Sequence, residues 1–245
     1  MKTTPRLHLD AGLEAQRDIA LEREQAHYLS GVLRLAAGDP VSVFNARDGE
    51  WLAYLTEVAK KGVKIRCERL VSAVTPPPDV DYCFAPLKHA RLDYVVQKAT
   101  ELGARRLRPV ITQRTIAERV NLDRMTANVI EAAEQCNLVF VPEVLEPVKL
   151  PRLLTEWEQG RALVYCDETA AIANPLEALK TLRLPAAVLV GPEGGFTEEE
   201  KALLKSLPFV TAISLGPRIM RADTAAVAAL TLLQAVLGDW HGNRA

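Results

Sequence analysis

The segment Val188-Leu189-Val190-Gly191-Pro192-Glu193-Gly194-Gly195-Phe196-Thr197 runs from an apolar strand into a loop with three glycines. A helix opened by Thr197-Glu198-Glu199-Glu200 follows. The hydroxyl at Thr197 and the carboxylate three residues later form the reciprocal pair that satisfies the orphan amides of a helix start. Glycines between strand and helix permit positive φ and close approach of the backbone to a ligand. In an open α/β sheet the carboxyl end of a strand is where ligands bind. A tight turn with no ligand would suit the same pattern. The spacing matches neither the dinucleotide fingerprint nor the phosphate loop. Pro192 lacks an amide donor and Glu193 carries negative charge, so a neutral or cationic ligand fits better than a nucleoside triphosphate.

Moving outward, apolar strands alternate with amphipathic helices throughout residues 76–245. The pairs are Tyr82–Leu87 with Arg91–Leu102, Leu107–Ile111 with Leu122–Gln135, and Ala187–Val190 with Glu198–Leu207. Leu163–Cys166 adds a strand, and Ala212–Leu215 leads to a last helix over Ala222–Leu237. Alternation of this kind predicts an α/β domain on a parallel sheet. The last helix is apolar nearly all round, which suits a position shared with a second subunit. In Ser214-Leu-Gly-Pro-Arg-Ile-Met-Arg-Ala-Asp-Thr-Ala225, a Gly-Pro turn again lies between strand and helix. Asp223 and Thr224 have the ordinary explanation of helix capping, but Arg218 and Arg221 beside the turn call for an anion or a carboxylate. Lys98 and Glu101, three apart on a helix, read as a surface ion pair.

Upstream, Thr75-Pro76-Pro77-Pro78-Asp79 is a stiff connector, since consecutive prolines neither donate to a ladder nor continue a helix. Before it the chain is strand-rich, with runs at Val41–Ala46, Trp51–Val58 and Val63–Leu70 and one helix over Glu24–Arg34. Turn signals fall at Asp48-Gly49 and Lys61-Gly62. A small β-barrel-like module is expected over residues 1–75.

The composition, 49% hydrophobic and 25% charged over 245 residues, is that of a globular chain able to bury a core without disulfides or metal. Cys67, Cys83, Cys136 and Cys166 have no metal-ligand spacing and read as reduced thiols. No stretch has the length of a membrane span, and the first residues lack a signal-peptide core, so a cytoplasmic location is expected. The net charge of −1 hides an asymmetry. Lys88–Arg124 holds nine Lys/Arg against four Asp/Glu, whereas Glu131–Glu200 holds five against thirteen. A further basic cluster comprises Lys60, Lys61, Lys64, Arg66 and Arg69. Such patches suit a polyanion, and equally suit solvated helix and strand faces.

Read in order, these segments resemble the ribosomal RNA small subunit methyltransferase E (RsmE) family of the SPOUT superfamily. The resemblance covers nearly the whole chain. It rests on His27-Tyr28-Leu29, Val32-Leu33-Arg34-Leu35 and Gly38-Asp39, then Gln97-Lys-Ala-Thr-Glu-Leu-Gly103, Arg108-Pro-Val110, Glu131-Ala-Ala-Glu-Gln135 and Pro142-Glu-Val144. Leu189–Phe196 and Leu215–Arg221 complete it. Two positions depart from the family pattern. An arginine usual shortly after Glu134-Gln135 is missing, and Asp223 stands where the family often has glutamate.

The resemblance implies a PUA-like RNA-binding β-barrel over 1–75 and a SPOUT α/β trefoil-knot domain over 76–245 that forms a homodimer. It implies S-adenosylmethionine as cofactor, held by Leu189, Val190, Gly191, Pro192, Gly194, Gly195, Leu215, Gly216, Ile219, Met220, Thr224 and Ala225. The implied product is N3-methyluridine in 16S rRNA, reached within the 30S subunit. Uridine N3 must lose a proton, so Glu193 and Asp223 are candidate bases, and Arg218 and Arg221 are candidate cations for the uridinate. Arg6, Arg34, Lys60, Lys61, Lys88, Arg91 and Arg114 are candidate RNA contacts. A SPOUT enzyme with another RNA target and a non-catalytic assembly factor remain open alternatives.

Overall fold

A computed structural model describes residues 4–59, 62–88, 90–117, 119–170 and 174–241. The chain divides into two compact units, residues 1–76 with 133–141, and residues 77–132 with 142–245.

In the first unit, β1 (Arg6–His8) and β2 (Asp18–Ala20) precede α1 (Arg23–His27), which continues as a π-helical turn over Tyr28–Val32. Then come β3 (Pro40–Asn45), β4 (Gly49–Ala59) and β5 (Gly62–Ser72). The sheet order is β1-β3-β4-β5-β2, antiparallel except for the parallel β1–β3 pair. Val41, Val43, Ala53, Leu55, Val63 and Ile65 point inward and build one core with Leu7, Ile19 and Leu29. The three long strands and the helix match the sequence reading. The short β1 and β2 were not predicted, because three residues carry too little periodicity to register.

The second unit opens with β6 (Val80–Phe84), α2 (Ala90–Glu101), β7 (Arg106–Ile111) and α3 (Leu122–Gln135). It continues through β8 (Glu143–Val144), β9 (Val148–Lys149), α4 (Leu150–Thr155), β10 (Ala162–Cys166) and α5 (Pro175–Lys180). β11 (Ala186–Val190), α6 (Glu198–Ser206), β12 (Val210–Ile213) and α7 (Ala222–Val236) close it. The sheet is parallel in the order β12-β10-β11-β6-β7-β8, with β9 also paired to β7. β6 and β11 are buried at every position, as strands covered on both faces must be. No helix among the described residues is long and apolar enough to cross a membrane.

The expected boundary at the proline connector accounts for most of the division. Residues 133–141, expected with the C-terminal domain, lie instead with the N-terminal unit. The reason is Arg6. Its Nη1 donates to the carbonyls of Ala133 and Glu134, both at 2.9 Å, and Nη2 donates to that of Leu138 at 3.0 Å. The same guanidinium pairs with Glu50 and lies over the Phe44 ring. Glu134 accepts the backbone amide of His8 at 2.9 Å. Arg6 was expected among the RNA contacts. The structure makes it a buried clasp whose donors are taken up by protein acceptors.

At the amino ends of the parallel strands, Arg161 is 2% exposed by side chain and pairs with Asp79 at 2.9 Å and Glu158 at 3.0 Å, with Asp81 at 3.7 Å. Arg106 joins Asp81 and Glu158 at 2.8 and 2.9 Å. Arg161→Met would leave Asp81 buried with one cation fewer, and should lower the unfolding free energy in urea by about 3–5 kcal/mol. A loss below about 1 kcal/mol, the range of exposed pairs, would mean that Arg106 suffices. Hydrogen bonds from Arg161 and Arg106 hold the Glu158 carboxyl at about 2. Its folded pKa is depressed, so its contribution is present above the ordinary value of 4.5 and lost as pH falls toward 2. Glu158→Gln should therefore flatten the acid limb of the stability profile in that window, modestly, because Glu158 is half exposed.

Candidate active site

Three neighbouring strands, β12, β10 and β11, send their carboxyl ends to one cavity of about 250 Å³ within the second unit. The loop after β11 is shaped by its glycines. A side chain on Gly191 would begin 2.5 Å from the Phe196 ring, which itself packs edge-on against Tyr165 at 5.2 Å. Gly195 adopts φ 68° and Gly216 φ 109°, the left-handed region that glycine enters without strain. Behind the loop the predicted capping box forms. The Thr197 side chain accepts from the Glu200 amide, and Glu200 accepts from the Thr197 amide at 2.9 Å. The other Glu200 oxygen accepts the Gln113 amide at 2.8 Å, so one buried carboxylate ties α6 to the chain after β7. The loop after β12 is turned by Ser214, whose hydroxyl accepts the Gly216 amide at 3.2 Å.

Of the residues expected to hold a cofactor, Val190, Gly191, Pro192, Gly195, Leu215, Gly216, Ile219, Met220 and Ala225 line the cavity. Leu189 lies in the core behind it. Gly194 turns its carbonyl to Arg114, whose Nη1 donates at 2.8 Å, and Thr224 is exposed. Among the expected catalytic residues, Glu193, Arg218 and Arg221 line the cavity. Asp223 sits in the first turn of α7, where its Oδ1 accepts the Thr224 amide at 2.9 Å.

The basic residues expected to meet RNA divide into groups. Arg34, at φ 55°, and Lys88 are exposed. Arg91 approaches Glu193 at 3.7 Å and Arg114 holds Gly194, so both brace the glycine loop. Lys60 and Lys61 lie outside the described residues. Near them in sequence, Lys64 pairs with Glu57 and Arg66 with Asp18. Lys98 and Glu101 form the expected surface pair at 2.7 Å.

Sequence reading missed the wall supplied by β10: Tyr165, Cys166, Asp167 and Glu168, together with Lys201 from α6. The carboxyl-end rule, applied to the recognised strand Leu163–Cys166, would have reached Asp167 and Glu168. Lys201 gives no signal in sequence, since its pairing with Glu198 looks like an ordinary surface contact. Burial pushes the Cys166 thiol up to about 12, so it stays protonated and is no nucleophile at neutral pH. Burial also raises the Asp167 carboxyl, but hydrogen bonds from Lys205 and Thr169 outweigh it and hold the group below its usual range. Asp167 is thus a carboxylate, paired with Lys205 at 2.7 Å.

A family model described as an RNA methyltransferase domain matches residues 75–234, and one described as an RNA methyltransferase PUA domain matches residues 21–67. A ribosomal RNA small subunit methyltransferase E of Rickettsia conorii is 30% identical over 228 residues, covering 92% of this chain and 93% of that protein. The chain belongs to the ribosomal RNA small subunit methyltransferase E family. Its relative of the same name in Synechocystis is 33% identical over 224 residues, 89% of this chain and 73% of that protein. A solved methyltransferase E of Neisseria gonorrhoeae, bound to S-adenosyl methionine, superposes with a TM-score of 0.87 at 26% identity, over 97% of this chain and all of that one. A Legionella pneumophila protein described as a methyltransferase, in complex with the cofactor SAM, gives 0.84 at 29% identity over 97% and 99%. In this methyltransferase E chain the small N-terminal sheet is the PUA-like module and the parallel sheet the SPOUT domain.

The glycine loop supplies a test. Gly195→Val forces a β-branched residue to φ 68° and should cost about 1–2 kcal/mol of stability, together with distortion of the cavity wall. Gly195→Asn, which tolerates that conformation, should lose less than half as much in chemical unfolding. Equal losses for the two variants would show that space, not φ, dictates glycine there.

Proposed function

We propose that this chain transfers a methyl group from S-adenosylmethionine to N3 of a uridine in 16S rRNA, acting on the small ribosomal subunit as a homodimer in the cytoplasm. One observation carries the reading. In a chain of this family, the loops after two parallel strands, β11 and β12, deliver a carboxylate, Glu193, and two exposed guanidiniums, Arg218 and Arg221, to the wall of one cavity.

The donor set suits the cofactor. Tyr165, Val190, Phe196, Leu215 and Met220 offer apolar surface for a purine, and the loop backbones offer amides and carbonyls for its edge. Asp167, Glu168 and Glu193 against Lys201, Arg218 and Arg221 place both signs of charge around a ligand that is itself cationic and zwitterionic. When bound, S-adenosylmethionine supplies an electrophilic methyl on a sulfonium.

The residues of the chain have the remaining tasks. Glu193, lining the cavity, is better placed than Asp223 to accept the N3 proton. Arg218 and Arg221 face solvent at the cavity, where they can stabilise negative charge on the uridine carbonyl oxygens as that proton leaves. The cavity walls hold the two partners in register, a large part of any transfer rate. Exposed Arg34 and Lys88 remain candidate phosphate contacts, with affinity falling as salt rises.

The dimer is supported by α7. One side, Ala225, Ala226, Ala229, Leu230 and Leu233, is buried, while Val227, Ala228, Leu232, Ala235 and Val236 on other faces are only half covered. Ile219, 87% exposed beside the cavity, is a further apolar group that a second subunit would cover. The knotted threading expected from the family resemblance belongs to the same proposal.

Labelled methyl transfer to 30S subunits from a strain lacking its own enzyme, followed by nucleoside mass analysis, tests the reading. Label should appear as N3-methyluridine. Label in ribose would shift the target, and RNA binding without cofactor binding would favour a non-catalytic assembly role. Glu193→Gln should lower kcat by roughly 10²–10⁴, the usual weight of a general base, with KM for the subunit little changed. An unaffected kcat would remove Glu193 from proton transfer.

A further inference from the structure

The cavity holds more charge than proton removal from a uridine requires. Glu193, Arg218 and Arg221 suffice for that chemistry. Glu168, just after β10, and Lys201, near the start of α6, are not needed for it.

Lys201 lies one turn into α6, with its side chain 13% exposed, on the cavity wall. An ammonium this enclosed needs anionic partners, because removal from water is costly. Glu198 supplies one at 3.0 Å, yet Glu198 is itself 82% exposed, and an ammonium has three N–H donors. Among the described residues this leaves two donors for a ligand. Glu168 lines the same cavity, and its Oε1 lies 3.5 Å from where a side chain on Gly195 would begin. It has no ion pair among the described residues. One carboxylate and one ammonium therefore flank the turn where the glycine loop enters α6.

An α-amino acid head group carries the complementary pair, an α-ammonium and an α-carboxylate. The other charges of the cavity suit it less well. Asp167 is neutralised by Lys205, Glu193 lies 3.7 Å from Arg91, and among the cations Arg218 and Arg221 are exposed to solvent whereas Lys201 is enclosed.

We infer that Lys201 and Glu168 form the subsite for the amino-acid end of S-adenosylmethionine, Lys201 binding its carboxylate and Glu168 its ammonium. This rests on the cofactor reading above. It fixes the direction of the ligand in the cavity, with the amino-acid end at the start of α6. Glu193, Arg218 and Arg221 are then left for the uridine.

Calorimetric binding of three ligands to the full chain tests the assignment. S-adenosylmethionine carries both head-group charges, its decarboxylated form lacks the carboxylate, and 5′-methylthioadenosine lacks the whole head group. Lys201→Gln should weaken S-adenosylmethionine by roughly 10–100-fold, as expected for one charge-assisted bond, and leave the other two ligands unchanged. Glu168→Gln should weaken S-adenosylmethionine and the decarboxylated form, and leave methylthioadenosine unchanged. Glu168 is exposed, so its variant reports even if Lys201→Gln fails to fold. Equal weakening of all three ligands, or no weakening of any, overturns the subsite. If the unaltered chain binds none of the three, the cofactor reading falls with it.

Discussion

The guanidinium of Arg161, almost wholly withdrawn from water, is the point on which the alignment of the parallel sheet turns. It sits immediately before β10 and pairs with carboxylates before and inside β6. It also donates to the carbonyls of Asp79 and Ala186, where β6 and β11 begin. Arg106 extends the network to the start of β7 through Asp81. Parallel strands need their ends in step if their loops are to converge, and a network of charge-assisted bonds at one end sets that step. Burial raises the Asp81 carboxyl above its ordinary range, a measure of how dependent its charge is on the cations beside it.

At the opposite end of the same strands the order is reversed, with polar groups left to a ligand. The loops there are held from outside the cavity: Glu200 from the capping box, Arg114 on the Gly194 carbonyl, Ser214 on the Gly216 amide. These contacts fix backbone while leaving Glu193, Arg218 and Arg221 facing the cavity. Cys166, kept neutral by burial, contributes packing and no competing chemistry. A cavity prepared in this way can favour the geometry of transfer at small cost in reorganisation.

Much of this was legible in the sequence because it rests on local chemistry. The apolar run Ala187–Val190, the three glycines and Thr197/Glu200 each specify backbone conformation by themselves, and all three appear as expected. α3 ends where its periodicity ends. What escaped was non-local. That the end of β10 meets those of β11 and β12 in one cavity follows from the strand order β12-β10-β11, which no single segment contains. Arg6 looked like any basic residue near a chain start, and its burial depends on acceptors more than a hundred positions away. Lys201 illustrates the same limit, since i,i+3 spacing to Glu198 is identical whether the ammonium faces solvent or a cavity.

The tail of α3 has a consequence for how the chain comes into being. The N-terminal unit lacks the three carbonyls to which Arg6 donates, and a partner for the His8 amide, until Ala133–Leu138 are supplied. During synthesis the chain emerges from its amino end, and a unit generally folds once its parts are available. Residues 1–76 must therefore wait, with Arg6 held by Glu50 but short of its carbonyl acceptors, while some sixty further positions are translated. For the same reason a fragment cut at the proline connector is an incomplete object, because residues 133–141 belong to its fold.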